Sequence, residues 1–206
     1  MRQIFKCMAI VMVCVFASVA AKAQFRYGPV AGVSYSSLHF KQDLVTVKGM
    51  PTFQAGLQTE MMFPGIGFGI DFGLFYNMSG AKVNLGERLM WQSQGYGNET
   101  LMMHEITFPF HLRFKYTNLN GVEDIVAPFV YVGPDFHVQV AHSKCDAIHY
   151  SGGDVALVGG IGAELYRNWQ VSVQYTFGGT YALKANLLTD YSAQSRQWTL
   201  RVAYLF

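Results

Sequence analysis

Side chains of opposite polarity alternate without interruption over residues 105–116, and this alternation constrains the fold more than any other feature of the chain. The even positions are all apolar or aromatic, whereas the odd positions include Glu105, His111, Arg113 and Lys115. Successive side chains of a β-strand point to opposite faces, so a period of two predicts a strand with one apolar face. A helical period of about 3.6 residues is nearly absent from the chain.

The same alternation recurs in seven further segments, which brings the number of predicted strands to eight. These segments are residues 27–38, 53–61, 66–76, 125–140, 155–166, 170–177 and 197–206. Gly133, Pro134 and Asp135 interrupt the phase of the fourth segment in this list, which predicts a bulge or a bend there. After the N-terminal segment there is no run of about 18 apolar residues, so strands would have to make any membrane crossing.

Residues 1–23 have the pattern of a secretory signal peptide. Arg2 and Lys6 precede an apolar run that ends in Ala21-Lys22-Ala23, and we predict cleavage after Ala23. Cleavage would leave a single domain, residues 24–206, and would remove three basic residues, so the formal charge would fall from +2 to −1. No basic cluster remains that could follow a phosphate backbone, so we expect no binding to nucleic acid.

The connections between the predicted strands alternate between short and long. Residues 62–65, 117–124 and 167–169 are short connections, and residues 39–51, 78–102, 141–154 and 182–195 are long ones. Short turns on one side, long loops on the other and both termini on the short-turn side are typical of outer-membrane barrels. We therefore predict an all-β, eight-stranded, antiparallel, up-and-down transmembrane β-barrel that is exported to the outer membrane and surrounded by its lipid.

A soluble lipocalin-like barrel is the alternative, since it also has eight strands but turns its apolar face inward. The polar face here is rich in glycine and would cover the outside of a soluble barrel poorly, whereas glycine relieves crowding inside a narrow lumen. Enclosed charges must pair, so the inward set predicts a network of salt bridges in the lumen. Its members are Glu60, Asp71, Glu105, His111, Arg113, Lys115, Glu164 and Arg201.

Aromatic residues near the strand ends lie on the predicted outward face, as expected of the girdles at a membrane interface. They include Tyr76, Tyr116, Trp198 and Phe206. The last strand carries Trp198, Tyr204 and the terminal Phe206 on one face, and this arrangement resembles the signal that the barrel-assembly machinery reads. We therefore expect that machinery as a partner during insertion.

Several motifs along the chain resemble the outer-membrane β-barrel family of Bacteroidetes that is labelled PorT-like or porin family. The motifs are Gly32-Val33-Ser34-Tyr35-Ser36, EITFPFHLRFKY at 105–116, APFVYVGPD at 127–135, GGIGAEL at 159–165 and WTLRVAYLF at 198–206. Their order is more specific than any one of them. The resemblance implies the barrel fold and the outer-membrane location, and no motif carries over the secretion role of one branch of the family.

No cofactor, metal site or catalytic site is expected. His142, Cys145, Asp146 and His149 share one connection, but their spacing matches no zinc pattern. Polar residues near the rim could serve a barrel enzyme, although nothing in their spacing selects them. They are His104, Ser151, Asp154 and Ser195.

The sequence favours a structural or interaction protein with a lumen filled by side chains, whose role is carried by the long extracellular loops. A narrow channel for ions or very small solutes is the alternative. Leu89-Met90-Trp91 and Leu101-Met102-Met103 flank the polar part of the longest connection. These apolar residues would either pack at the rim of the barrel or contact an unknown protein partner.

Overall fold

The computed structural model describes residues 24–40, 45–63, 65, 67–84, 86, 95, 97–116, 122–143, 148–185 and 192–206. The predicted signal peptide lies outside these residues, as do Met90, Trp91, Cys145 and Asp146. No helix among the described residues is long and apolar enough to cross a membrane.

The part of the chain that the structure describes contains eight long strands and two short ones. The long strands are β1 (Gln24–Phe40), β2 (Thr46–Met62), β3 (Phe68–Asn84), β4 (Asn98–Lys115), β5 (Val126–His142), β7 (Gly153–Leu165), β8 (Trp169–Gly178) and β10 (Ser192–Tyr204). The short strands are β6 (Ile148–Tyr150) and β9 (Leu183–Ala185), and a single turn of 3-10 helix at Val122–Asp124 precedes β5.

The eight long strands close into an antiparallel barrel. Each pairs with the next along the chain, and β1 also pairs with β10, so that Gly32 lies opposite both Gln54 and Arg201. Closure leaves no open edge and pairs the backbone polar groups, which is what a lipid environment requires. The predicted eight-stranded antiparallel barrel is therefore confirmed.

The strands are longer than predicted on the side of the long connections. Residues 46–51, 78–84, 98–102 and 192–195 were predicted as loops but belong to β2, β3, β4 and β10. A tilted strand needs only about 9 to 11 residues to cross a bilayer, so strands of 17 residues continue beyond it. The two short strands β6 and β9 pair with each other at this end.

A bulge or a bend was predicted at Gly133, and the strand pairing there contradicts the bulge. The pairing of β5 with β7 runs through Gly133 and Pro134 in constant register, and both Tyr131 and Asp135 face the lumen. Gly133 is also on the inner face, so the alternation of side chains continues through this segment. A side chain at this position would collide with the backbone of Phe110 and His111. The register of β4 with β5 instead shifts between His104 and Glu105.

The apolar face of each strand points outward through the central part of the barrel. In β4, Phe110 and Leu112 are 50% and 60% exposed, whereas Arg113 is 2% exposed. This distribution excludes the soluble alternative, because 35 large apolar side chains among the described residues are exposed and would be in water.

Candidate functional site

Six charged side chains fill the lumen near the short turns, and we call them the ion-pair layer. Its members are Arg26, Glu60, Asp71, Arg113, Lys115 and Glu164. Glu60 is at its centre and is fully buried; its carboxylate lies 2.5 Å from Arg26 Nη2, 3.1 Å from Arg113 Nη1 and 2.6 Å from Lys115 Nζ. Three acidic groups balance three basic ones, so every buried charge in the layer has an opposite partner.

Glu164 and Gln170 connect the layer across the barrel. Lys115 Nζ lies 2.7 Å from Glu164, and Arg26 also donates to this carboxylate. The amide of Gln170 donates to Glu60 at 2.6 Å and to Glu164 at 2.9 Å. These bonds tie together strands β1, β2, β4, β7 and β8 at one level of the lumen.

Arg113 is held on two sides. Its Nε and Nη2 atoms lie 2.8 Å and 2.6 Å from the two oxygens of Asp71, a two-point contact that suits the planar guanidinium group. The ring centroid of Phe129 is 4.1 Å from the guanidinium carbon, within the range of a cation–π contact. Phe129 therefore closes the lumen beside the charges.

Arg201 lies outside the ion-pair layer although the sequence placed it with the other charges. Its Nη atoms donate to the neutral side chains of Gln174 and Gln58, each at 2.7 Å, and its buried Nε atom has no hydrogen-bond partner among the described residues. No carboxylate among the described residues forms an ion pair with it. A cavity of about 10 Å³ beside Arg201 has room for about one water molecule.

The other two predicted lumen residues lie nearer the extracellular end. His111 Nε2 is 2.6 Å from Asp135 Oδ1, and the imidazole stacks on Tyr131. Glu105 accepts hydrogen bonds from Ser79 at 3.0 Å and from Asn77 at 3.2 Å, and it lies 3.6 Å from His137. All eight predicted side chains are thus buried in the lumen, but Arg201, His111 and Glu105 each have partners outside the ion-pair layer.

Ten buried side chains close the lumen at the extracellular end, and we call them the apolar cap. They are Leu38, Phe40, Ala81, Val83, Leu101, Met103, Tyr150, Ala182, Leu183 and Ala193. Leu183 of β9 and Leu101 of β4 are fully buried. Leu101 and Met103 therefore pack inside the barrel near its rim, which is the first of the two alternatives given for them above.

At the level of the apolar cap, the barrel wall is polar on its outer face and apolar on its inner face, the reverse of its central part. Outside the barrel Lys82 and Thr100 are exposed, while Val83 and Leu101, their neighbours along the strands, are buried inside. Water replaces lipid around the ends of the strands, so the outward face becomes polar and the inner face provides the core. Val83 and Leu101 were predicted to lie in a loop. The reason is that the apolar residues change here from the outward-facing to the inward-facing positions of the strands.

Other lumen residues were missed by the sequence analysis. Arg26 was overlooked because the first strand alternates weakly, although it shares the inward parity of Ser34 and Ser36. Asp135 and His137 were overlooked because a phase break was assumed at Gly133, and counting from Tyr131 without that break would have found both.

The rim residues considered for catalysis do not converge. His104 faces outward, where its Nδ1 atom is 2.5 Å from the hydroxyl oxygen of Tyr76. Asp154 is buried on the inner face opposite His137. The hydroxyl of Ser151 donates to backbone carbonyls, including that of Tyr181 at 2.9 Å. The barrel wall therefore separates His104 from Asp154.

Outward aromatic residues are present at both ends of the apolar wall. Near the short turns, Tyr204 contacts both Trp169 and Phe206 edge to face. Near the other end, Tyr175 packs on Trp198 with their centroids 4.8 Å apart. Trp198 and Phe206 are 57% and 65% exposed, as expected of side chains that face a membrane interface.

The short-turn end of the lumen opens into a vestibule of about 720 Å³ that is lined in part by Arg26, Lys115 and Glu164 of the ion-pair layer. The barrel thus has an open mouth on one side, a layer of paired charges above it and an apolar cap at the opposite end.

A model of the family described as "Outer membrane protein beta-barrel domain" matches residues 7–206. The chain belongs to this family. Its location in the outer membrane, predicted above, is thereby confirmed. No curated protein matches the chain.

Solved structures with the same architecture include the outer membrane protein OprG from Pseudomonas aeruginosa. It is 13% identical, with a TM-score of 0.54, and the match covers 88% of this chain and 95% of OprG. Neisserial surface protein A is 11% identical, with a TM-score of 0.47, and the match covers 89% of this chain and 99% of that protein. The outer membrane enzyme PagL is 12% identical, with a TM-score of 0.44 and coverage of 84% and 98%. At these identities the OprG match supports the fold alone.

Proposed function

We propose that this barrel is a sealed structural or interaction protein that acts through what its extracellular end presents. The observation that carries the proposal is the double closure of the lumen, by the ion-pair layer on one side and by the apolar cap on the other. An ion crossing the lumen would have to separate buried ion pairs and then pass through the apolar cap. The strands that continue beyond the bilayer support the part of the proposal that concerns presentation.

Conductance in planar bilayers tests the closure. The refolded wild-type barrel should give a flat trace, and so should Leu183→Gly alone, because the ion-pair layer remains in place. Combining Leu183→Gly with Arg113→Ala should produce discrete conductance steps, since both barriers are then weakened. Reproducible steps in the wild-type protein would support the alternative, a narrow channel for ions or very small solutes, and would refute the sealed lumen.

Photo-crosslinking in intact cells tests the interaction role. A photoreactive phenylalanine derivative at Tyr181, which is 40% exposed at the extracellular end, should give a defined protein adduct. The matched control is the same group at Tyr166, which is 69% exposed in a short turn on the opposite side. Adducts of the same size at both positions, or none at Tyr181, would argue against a partner at the extracellular end.

The proposal includes the absence of catalysis. The separation of His104 from Asp154 by the barrel wall supports it, because a catalytic triad requires its members to touch. The test is to incubate the refolded protein with outer-membrane lipids and with peptides and to analyse the products by mass spectrometry. Turnover that is lost in the His104→Ala variant would contradict the absence of catalysis.

We also propose that the chain belongs to the PorT-like branch of Bacteroidetes barrels. The support is the order of the motifs from Gly32 to Phe206. The test is to align this chain with members of that branch. If residues 105–116 and 198–206 have no counterparts in the alignment, the assignment to the branch is refuted.

A further inference from the structure

Gln24 is the first residue of β1 and lies at the open mouth of the barrel. It is paired with Met62 at the end of the ladder between β1 and β2. The next residue, Phe25, packs edge to face on Phe72 at the outer wall, whereas Arg26 reaches the ion-pair layer inside. Gln24 is on the same face of β1 as Arg26, and its exposed side chain lines the vestibule. The strand is thus anchored up to its first residue, while the side-chain amide of Gln24 remains accessible.

The cleavage predicted after Ala23 would make Gln24 the first residue of the mature chain. The backbone nitrogen of Gln24 would then be a primary α-amine, and most of this amine would carry a proton at neutral pH. A positive charge would therefore be added at the edge of the vestibule.

The vestibule has no acidic partner to spare for this charge. Its charged lining consists of three basic and three acidic side chains, which are already paired with one another. They are Arg26, Lys115 and Arg167 with Glu60, Glu164 and Asp124. An α-ammonium group on Gln24 would be a fourth positive charge, and no carboxylate among the described residues that line the vestibule is left for it. A neutral terminus fits this mouth better than a charged one.

We propose that Gln24, once signal cleavage has exposed its α-amine, is converted to the five-membered lactam 5-oxoproline. The α-nitrogen attacks the side-chain carbonyl carbon Cδ, a bond between these two atoms forms, and the bond from Cδ to Nε2 breaks. The amide nitrogen leaves as an ammonium ion, and no oxidant, reductant or second substrate is required. The lactam keeps one N–H group as a hydrogen-bond donor but carries no charge.

Arg26 gives this modification a structural role. It would be the third residue of the mature chain, and it contacts both Glu60 and Glu164 in the ion-pair layer. Aminopeptidases require a free α-amine, so the loss of three residues from an unblocked terminus would remove Arg26 from the layer. The lactam protects the layer on the side where the short turns of an outer-membrane barrel face the periplasm.

Mass spectrometry of the barrel purified from the outer membranes of cells that produce it tests the proposal. Free amines are first dimethylated, and a protease that cuts before aspartate then releases residues 24–42, because Asp43 is the first aspartate of the mature chain. The peptide should be unlabelled at its α-nitrogen and lighter than the unmodified sequence by about 17 Da, the mass of ammonia. Labelling of Lys41 in the same peptide shows that the reagent has reacted.

Gln24→Asn is the matched control. Its side chain is shorter by one methylene group, so attack by the α-amine would give a strained four-membered ring, and the amine should stay free and be labelled. A labelled α-amine on Gln24 in the wild-type protein would overturn the proposal. A first residue other than Gln24, or a blocking group that raises the mass, would overturn it as well.

Digestion with an aminopeptidase tests the protective role. The wild-type barrel should remain intact, whereas Gln24→Asn should lose residues 24–26 and then unfold at a lower urea concentration than before digestion. The same treatment of undigested samples shows whether the substitution alone weakens the barrel. If Gln24→Asn also keeps Arg26, the pairing of β1 with β2 protects the terminus, and the role assigned to the lactam is wrong.

Discussion

Lys115 Nζ and Glu60 Oε1 lie 2.6 Å apart in the lumen, and both side chains are 5% exposed or less. Glu60 also accepts from Arg26 and Arg113, so one carboxylate contacts three cations that come from two other strands.

Glu60→Gln should destabilise the barrel by about 3–5 kcal/mol, because it leaves buried positive charges without their shared partner. The measurement is urea unfolding of the refolded protein in vesicles. The control is Arg167→Gln, which breaks the exposed ion pair with Asp124 and should cost about 0–1 kcal/mol. Equal losses in the two variants would show that Glu60 does not organise the layer.

Leu101→Ala should cost about 2–5 kcal/mol, since it opens a cavity in the apolar cap where Leu101 is fully buried. Leu57→Ala is the matched control: this leucine is 63% exposed on the outer wall, so lipid fills the space that the substitution leaves. Urea unfolding of both variants in the same vesicles makes the comparison. A larger loss for Leu57→Ala would place the stabilising core outside the barrel rather than in its cap.

Gly162→Ala should destabilise the barrel by about 1–3 kcal/mol, because the added Cβ would lie 2.5 Å from the backbone oxygen of Val171 and 2.6 Å from Phe129 Cζ. Gly159→Ala is the control, since a Cβ there meets nothing within 4 Å. The shift from folded to unfolded mobility on unboiled gels, measured against temperature, compares the two. Unchanged stability of Gly162→Ala would mean that the ring of Phe129 is free to move away.

Phe206→Ala should lower the amount of assembled barrel in cells several-fold without a comparable loss of stability after refolding in vitro. The physical reason is that Phe206 is 65% exposed on the outer wall, where its removal disturbs little packing but removes the aromatic end of the last strand. Fractionation of cell envelopes measures assembly. Phe53→Ala, which removes another exposed outward aromatic, is the control, and equal assembly of both variants would refute a role of Phe206 as an assembly signal.

The alternation of side chains was sufficient to predict strands, their number and the direction of each face, because in a bilayer the outside of a barrel must be apolar. Residues 105–116 show this: every even position was predicted to face lipid, and Phe110 and Leu112 are exposed on the outer wall as expected. The same rule failed above the bilayer. There the outside is water, so Lys82 faces outward and Val83 inward, and strands were predicted as loops.

The sequence by itself determined that Glu60, Arg113 and Lys115 would be enclosed in the lumen, because each occupies an inward-facing position in the alternation of its strand. Only the tertiary structure decided how they pair. Glu60 and Lys115 are 55 residues apart, and their contact depends on the registers of β2 with β3 and of β3 with β4. Arg201 shows the same limit: its parity is inward, yet closure of β10 on β1 places it among glutamines rather than carboxylates. Parity is a local property of one strand, whereas the partner of a buried charge is set by the stagger of all eight strands around the barrel.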